Sequence, residues 1–207
     1  MNMQAWTDSN YAYVIGTSGL SIYDVSDESV YATCSGNFTS VWANENYVFI
    51  GTSSSGVKYL IKPCSSGVYT SLNDLSNLSA YLPTSTNINY VHGNENNLLI
   101  VTDSGVDFIK LNPQGYKSST SISGIDKCFL TSGNKIYYMS NSTLYVVYTC
   151  LFDWVVADKE YTTNSGIFSG VNFNDIYVTP NTIFAATNNG VYVVDEISEE
   201  YDVYYNI

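Results

Sequence analysis

The chain alternates short apolar runs with short polar turns, and the same phrase recurs five times. An apolar run ends in Thr or Ser, a Ser/Asn/Asp turn follows, usually with a glycine, and a second apolar run completes the phrase. The copies are Tyr11 to Thr17 with Gly19 to Tyr23, Tyr47 to Thr52 with Gly56 to Leu60, and Leu98 to Thr102 with Gly105 to Ile109. Two more are Ile136 to Ser140 with Thr143 to Val147 and Ile183 to Thr187 with Gly190 to Val194. Runs of this length joined by such turns predict β-hairpins. The closing Thr or Ser residues stand at 17, 52, 102, 140 and 187, spaced by 35, 50, 38 and 47 residues, and 37 residues separate the last from the first through the termini. That spacing predicts a ring of five similar units.

A further short strand is expected before each hairpin, at Met3 to Trp6, Thr39 to Ala43, Ile88 to His92, Lys127 to Leu130 and Asp175 to Val178. A more polar strand is expected after each, at Ser29 to Cys34, Val68 to Ser71, Lys117 to Ile122, Trp154 to Ala157 and Tyr201 to Tyr205. Four strands in about 40 residues match the period of a propeller blade. The middle strands, such as Tyr47 to Ile50, read as continuous apolar runs, which implies burial on both faces. Blades packed face to face supply that burial. The fold expected is therefore all-β, a single five-bladed β-propeller over residues 1–207 with four-stranded antiparallel blades near 1–36, 37–86, 87–124, 125–172 and 173–207.

The phrase Val14-Ile15-Gly16-Thr17-Ser18-Gly19-Leu20, and Phe49-Ile50-Gly51-Thr52 with Gly56-Val57, resembles the two-component-regulator type of β-propeller repeat. The resemblance spans two units closely and the others loosely. It implies the fold and carries over no functional residue.

Composition agrees with strands and turns: 20 Tyr, 14 Gly and only four Pro. All seven basic residues are lysine, and the net charge is -12. Proteins that neutralise phosphates do so with clustered Lys and Arg, so nucleic acid and anionic membranes are not expected partners. No apolar run reaches the length of a membrane-spanning helix, and the first residues lack the pattern of a secretion signal. Cys34, Cys64, Cys128 and Cys150 match no zinc or C-x-x-C spacing and are expected as buried thiols. His92, the lone histidine, cannot build a multi-histidine metal site.

In a four-stranded blade the turn between the second and third strands shares a rim with the connection to the next blade. That rim gathers Ser18, Ser53 to Ser55, Asp103, Ser104, Asn141, Ser142, Asn188 and Asn189. Two long connections join it, Lys62 to Asn87 and Leu151 to Asn174, and connections of this length are usually functional. Leu75, Leu78, Tyr81, Ile167 and Phe168 are expected exposed there as a contact surface, with Asp103, Asn141, Asn188 and Asn189 as polar neighbours. Turn chemistry by itself also explains the Ser, Asn and Asp residues, and the leucines of the second loop, at near-helical spacing, could instead cap their own blade. Asp8, Glu45 and Glu95 recur between first and second strands; glycoside hydrolysis needs paired carboxylates in one pocket, but a solvated turn accounts for these. Asp103, Ser104 and Asp107 do not form a calcium loop, no G-x-S-x-G elbow is present, and the sequons at Asn37, Asn77 and Asn141 are of a kind common by chance in such a composition. No catalytic residue, metal or cofactor is expected.

The expected function is that of a non-enzymatic structural and protein-interaction propeller. The Ser/Asn/Thr/Tyr-rich, arginine-free composition resembles virion-surface or phage-tail proteins, which implies a place in a virus particle among its other proteins. The alternative is a lectin-like glycan-binding propeller or a small glycosidase, working outside the cell or in the host cytoplasm.

Overall fold

A computed structural model describes residues 4–111, 117–121, 124–131, 135–140, 143–148, 159–162 and 165–205. The chain divides into two units, Met1–Ser123 and Gly124–Ile207. All the sheets are built from antiparallel neighbours in sequence order, with one parallel addition.

In the first unit, sheet one holds β1 (Gln4–Thr7), β2 (Tyr11–Gly16), β3 (Gly19–Asp24) and β4 (Val30–Ser35). Sheet two holds β5 (Phe38–Ala43), β6 (Tyr47–Thr52) and β7 (Val57–Ile61). The chain then gives β8 (Gly67–Tyr69) to sheet one and returns as β9 (Asn73–Asp74) to finish sheet two. Sheet three is β10 (Ile88–Asn94), β11 (Asn97–Thr102), β12 (Gly105–Lys110) and β13 (Lys117–Thr120). In the second unit, sheet four is β14 (Ile125–Leu130), β15 (Lys135–Ser140), β16 (Thr143–Tyr148) and β17 (Lys159–Thr162). Sheet five is β18 (Phe173–Val178), β19 (Thr182–Thr187), β20 (Gly190–Asp195) and β21 (Tyr201–Tyr204).

One expected outer strand is corrected, and another falls outside the described residues. Residues 68 and 69 lie in β8, which pairs in parallel with β4 (Ala32 with Gly67, Cys34 with Tyr69), so this stretch extends the preceding sheet instead of closing its own. The Tyr31 hydroxyl donates to the Cys64 carbonyl at 3.0 Å, and the Ser65 N–H donates to the Tyr69 hydroxyl at 2.6 Å, which pins the crossing segment. In sheet four the outer strand is β17; the expected strand at Trp154 to Ala157 lies outside the described residues.

The continuous apolar runs are buried on both faces as their pattern requires: Val48, Phe49, Ile50, Leu98, Leu99 and Ile100 are all fully buried. One core cluster joins sheets one and two through Tyr13, Ile15, Ile22, Val41, Val48 and Leu60. Another joins sheets two and three through Trp42, Phe49, Tyr59, Val91, Leu98 and Ile109. Each such side chain contributes about 1.5 to 3 kcal/mol by leaving water.

Among the described residues, four equivalent joints repeat at the end of the strands away from the hairpin turns. The N–H of the first residue after the third strand donates to the carbonyl of an Asn just before the second: Val25 to Asn10, Lys62 to Asn46, Leu111 to Asn96 and Glu196 to Asn181, at 2.7 to 2.9 Å. At two of these positions a charged side chain crosses to the preceding sheet. Lys62 Nζ reaches Asp8 Oδ2 at 2.6 Å, and the Tyr13 hydroxyl donates to the same oxygen at 2.9 Å. Glu196 accepts from Lys135 Nζ at 2.9 Å and from the Tyr137 hydroxyl. Tyr13 and Tyr137 are each the third residue of their second strand, so one joint is built twice with opposite charge on the incoming residue.

Candidate functional site

The hairpin rim expected to carry the contacts is built mainly from residues that hold their own turns. Thr52, Thr102 and Thr187 each donate Oγ1 across the turn to a glycine carbonyl, Gly56, Gly105 and Gly190, at 2.8, 3.1 and 2.8 Å. The same oxygens accept the N–H groups of Ser55, Ser104 and Asn189. This pair of hydrogen bonds, one donated and one accepted by the same hydroxyl, gives a physical reason for the Thr that ends these three copies. Asn188 accepts the Asn172 N–H at 2.8 Å through Oδ1, while its own N–H donates to the Asn172 carbonyl, tying the hairpin to the entering connection. Asp103 is exposed, and a side-chain hydrogen bond from Ser85 leads the contacts that hold its carboxyl below the ordinary range. Asn141 lies outside the described residues.

Leu75 and Phe168 turn inward, a correction to the exposure expected for them, and Leu75 follows the alternative in which the leucines of the second loop cap their own blade. Leu75 and Phe168 are 2% and 1% exposed. Leu75 enters the core shared by sheets two and three, and Leu78 packs half-buried against it. Phe168 sits among Tyr161, Phe173 and Tyr192, with ring centroids 4.8 to 5.9 Å away, and Ile167 is half-buried. Tyr81 and its neighbour Leu82 remain outside, at 41% and 48% exposure. The chain beyond them is fixed by Asp107, itself buried in β12. Its carboxylate accepts from the Thr84 N–H and hydroxyl, both at 2.6 Å, from Ser119 Oγ at 2.5 Å, and pairs with Lys117 at 3.1 Å. Lys117 also donates to the Leu82 carbonyl at 2.9 Å.

At the opposite end of the strands of the first unit lies a cleft of about 510 Å³. Its walls include Trp6, Asp8, Tyr11, Glu45, Lys62 and Glu95. Trp6 is held from behind by His92, edge-on at 5.3 Å, and by Trp42 at 6.2 Å. These three side chains occupy matching places in β1, β5 and β10, each opposite the third residue of the second strand: Tyr13, Phe49 and Leu99. In the second unit Phe129 and Tyr177 hold the same place opposite Tyr137 and Phe184, 6.5 Å apart. Burial drives His92 to a pKa of about 3, so it is neutral at physiological pH.

Asp8 is tied down in this cleft. Burial raises its carboxyl, but hydrogen bonds from Lys62, from the N–H groups of Asn10 and Tyr11 and from Tyr13 outweigh that and hold it below the usual value. The structural equivalents of Asp8 are Asn44 and Asn94, whose Oδ1 atoms accept from the Asn46 and Asn96 N–H groups at 3.0 and 3.2 Å. Glu45 and Glu95 therefore stand one position further along, exposed at the turn tips.

Comparison with solved structures gives the fold. The chain matches a WD40 β-propeller domain of Doa1 with a TM-score of 0.64, at 12% identity over 96% of this chain and 66% of that one. It matches the extracellular domain of BT4673 from B. thetaiotaomicron with TM-scores of 0.62 and 0.63 in two structures, at 12% and 14% identity over 97% and 98% of this chain. The chain spans 28% and 29% of those two chains. No protein-family model matches it, and no curated protein matches it by sequence. The chain is all-β, with antiparallel sheets and β-propeller neighbours.

The aromatic row and the Asn joints were within reach of the sequence. Trp6, Trp42, His92 and Tyr177 each stand five residues before the start of the second strand, and an Asn immediately precedes that strand at 10, 46, 96 and 181. The shared spacing of Trp6 and Trp42 is plain in the sequence, but aligning only the hairpin turns hides the Asn joints and the extension of the row to His92 and Tyr177, because neither lies in the hairpin.

Proposed function

We propose that the chain is a non-enzymatic protein-interaction module whose five sheets are the blades of one closed propeller, docking on a partner protein through the loop apex at Tyr81 and Leu82. The observation that carries this reading is the pair of adjacent large apolar side chains left exposed on a backbone pinned by Asp107 and Lys117. A rigid apolar projection loses little conformational entropy on contact, which favours binding. Asp103, bonded to Ser85 and Asn87 of the same loop, supplies a polar border. Neighbours of the propeller fold agree with an interaction role. The composition leads us to place the partner in a virus or phage particle, where this chain would be a structural component.

Substituting Tyr81→Ser and Leu82→Ser together tests it. The expected result is a protein that folds and melts as the parent does but no longer incorporates into purified particles. Normal incorporation of the double variant, or turnover of a glycoside by the parent, overturns the reading.

A further inference from the structure

The cleft at the far end of the strands has a character of its own. One wall is aromatic, with Trp6 and Tyr11 both half-buried and Trp6 braced by Trp42 and His92. Tyr11 is braced in turn by Tyr31, with ring centroids 5.0 Å apart. The charges that line the cleft are Asp8, Glu45 and Glu95 against the single ammonium of Lys62. Lys62 is already engaged with Asp8 Oδ2 and with the Asn44 carbonyl at 2.8 Å, and lies 5.9 Å from the centre of the Tyr13 ring. The exposed carboxylates of Glu45 and Glu95 therefore set the sign of the field. His92 behind the indole is uncharged and does not oppose it.

We propose that this cleft binds an organic cation, an alkylammonium group seated against the Trp6 and Tyr11 rings and neutralised by Glu45 and Glu95. The faces of indole and phenol rings carry negative potential and attract such cations, and three carboxylates around one engaged ammonium give the cleft a field of one sign. A pyranose would also stack on Trp6, but as a neutral ligand it gains nothing from the net charge of the walls. The seat of Lys62, an ammonium between a carboxylate, a carbonyl and a phenol ring, shows the same recognition satisfied within the chain. The site is separate from Tyr81 and Leu82, so either proposal can fail alone.

The test is a titration of the parent protein, read by tryptophan fluorescence, with tetramethylammonium and n-butylammonium chloride against sodium chloride of equal ionic strength. Methyl β-glucoside serves as the neutral comparator. Saturable binding of the ammonium ions is expected, weakened about fivefold or more in Glu45→Gln/Glu95→Gln, consistent with the loss of two nearby charges. Both residues are exposed at turn tips, so the variant should keep the parent melting temperature. Saturation by the glucoside alone, no saturable response to either ammonium ion, or unchanged affinity in the double variant overturns the proposal.

Discussion

A histidine buried without charge makes stability depend on acid. The unfolded chain takes up a proton at His92 below about pH 6.5, whereas the native chain resists until about pH 3. Protons therefore favour the unfolded state across that interval, and stability falls with decreasing pH by about 1.4 kcal/mol per unit once below the unfolded value. Chemical denaturation at pH 7 and pH 5 should show this loss, and His92→Leu should flatten the slope while preserving the packing against Trp6 and Trp42. The joint at Asp8 is a second residue-scale case. Lys62→Met should cost about 1 to 2 kcal/mol in urea denaturation, because it leaves a partly buried carboxylate short of its charged donor. Converting Asp8→Asn in the same chain should recover part of the loss.

At the scale of elements, the hairpins were legible because each carries its own instructions. Thr at the end of one strand and Gly at the start of the next meet a steric need: Gly19 and Gly190 lie at φ +128 and +127, with room for a Cβ denied by the Cys34 and Tyr204 carbonyls. Gly190→Ala should accordingly cost about 2 kcal/mol or more, read as a lower melting temperature. Outer strands were legible only in part, since their pairing is decided by what the neighbouring sheet leaves open. The stretch around Val68 looks like any polar edge strand, and nothing local says that it will join β4 in parallel. The loops misled for a related reason, because apolar residues in a polar context look exposed until the cavity they fill is known. Leu75→Ala should cost about 2 to 4 kcal/mol as a buried truncation, and Tyr81→Ala should stay within about 0.5 kcal/mol as a surface change.

For the molecule as a whole, the closed propeller we propose requires the two units to unfold together. A single calorimetric transition whose calorimetric and van't Hoff enthalpies agree is the expected outcome; separate melting of Met1–Ser123 and Gly124–Ile207 would count against closure. The twin joints at Lys62 and Glu196 carry a further consequence for a chain made of near-copies. If sheets two and five exchanged places, Lys62 would meet Lys135, and Glu196 would meet Asp8. Both wrong neighbours repel, and both right ones attract. Opposite polarity at one repeated position thus acts as an address written into each sheet, and it would reject a misplaced sheet from a second copy of the chain as firmly as one from its own.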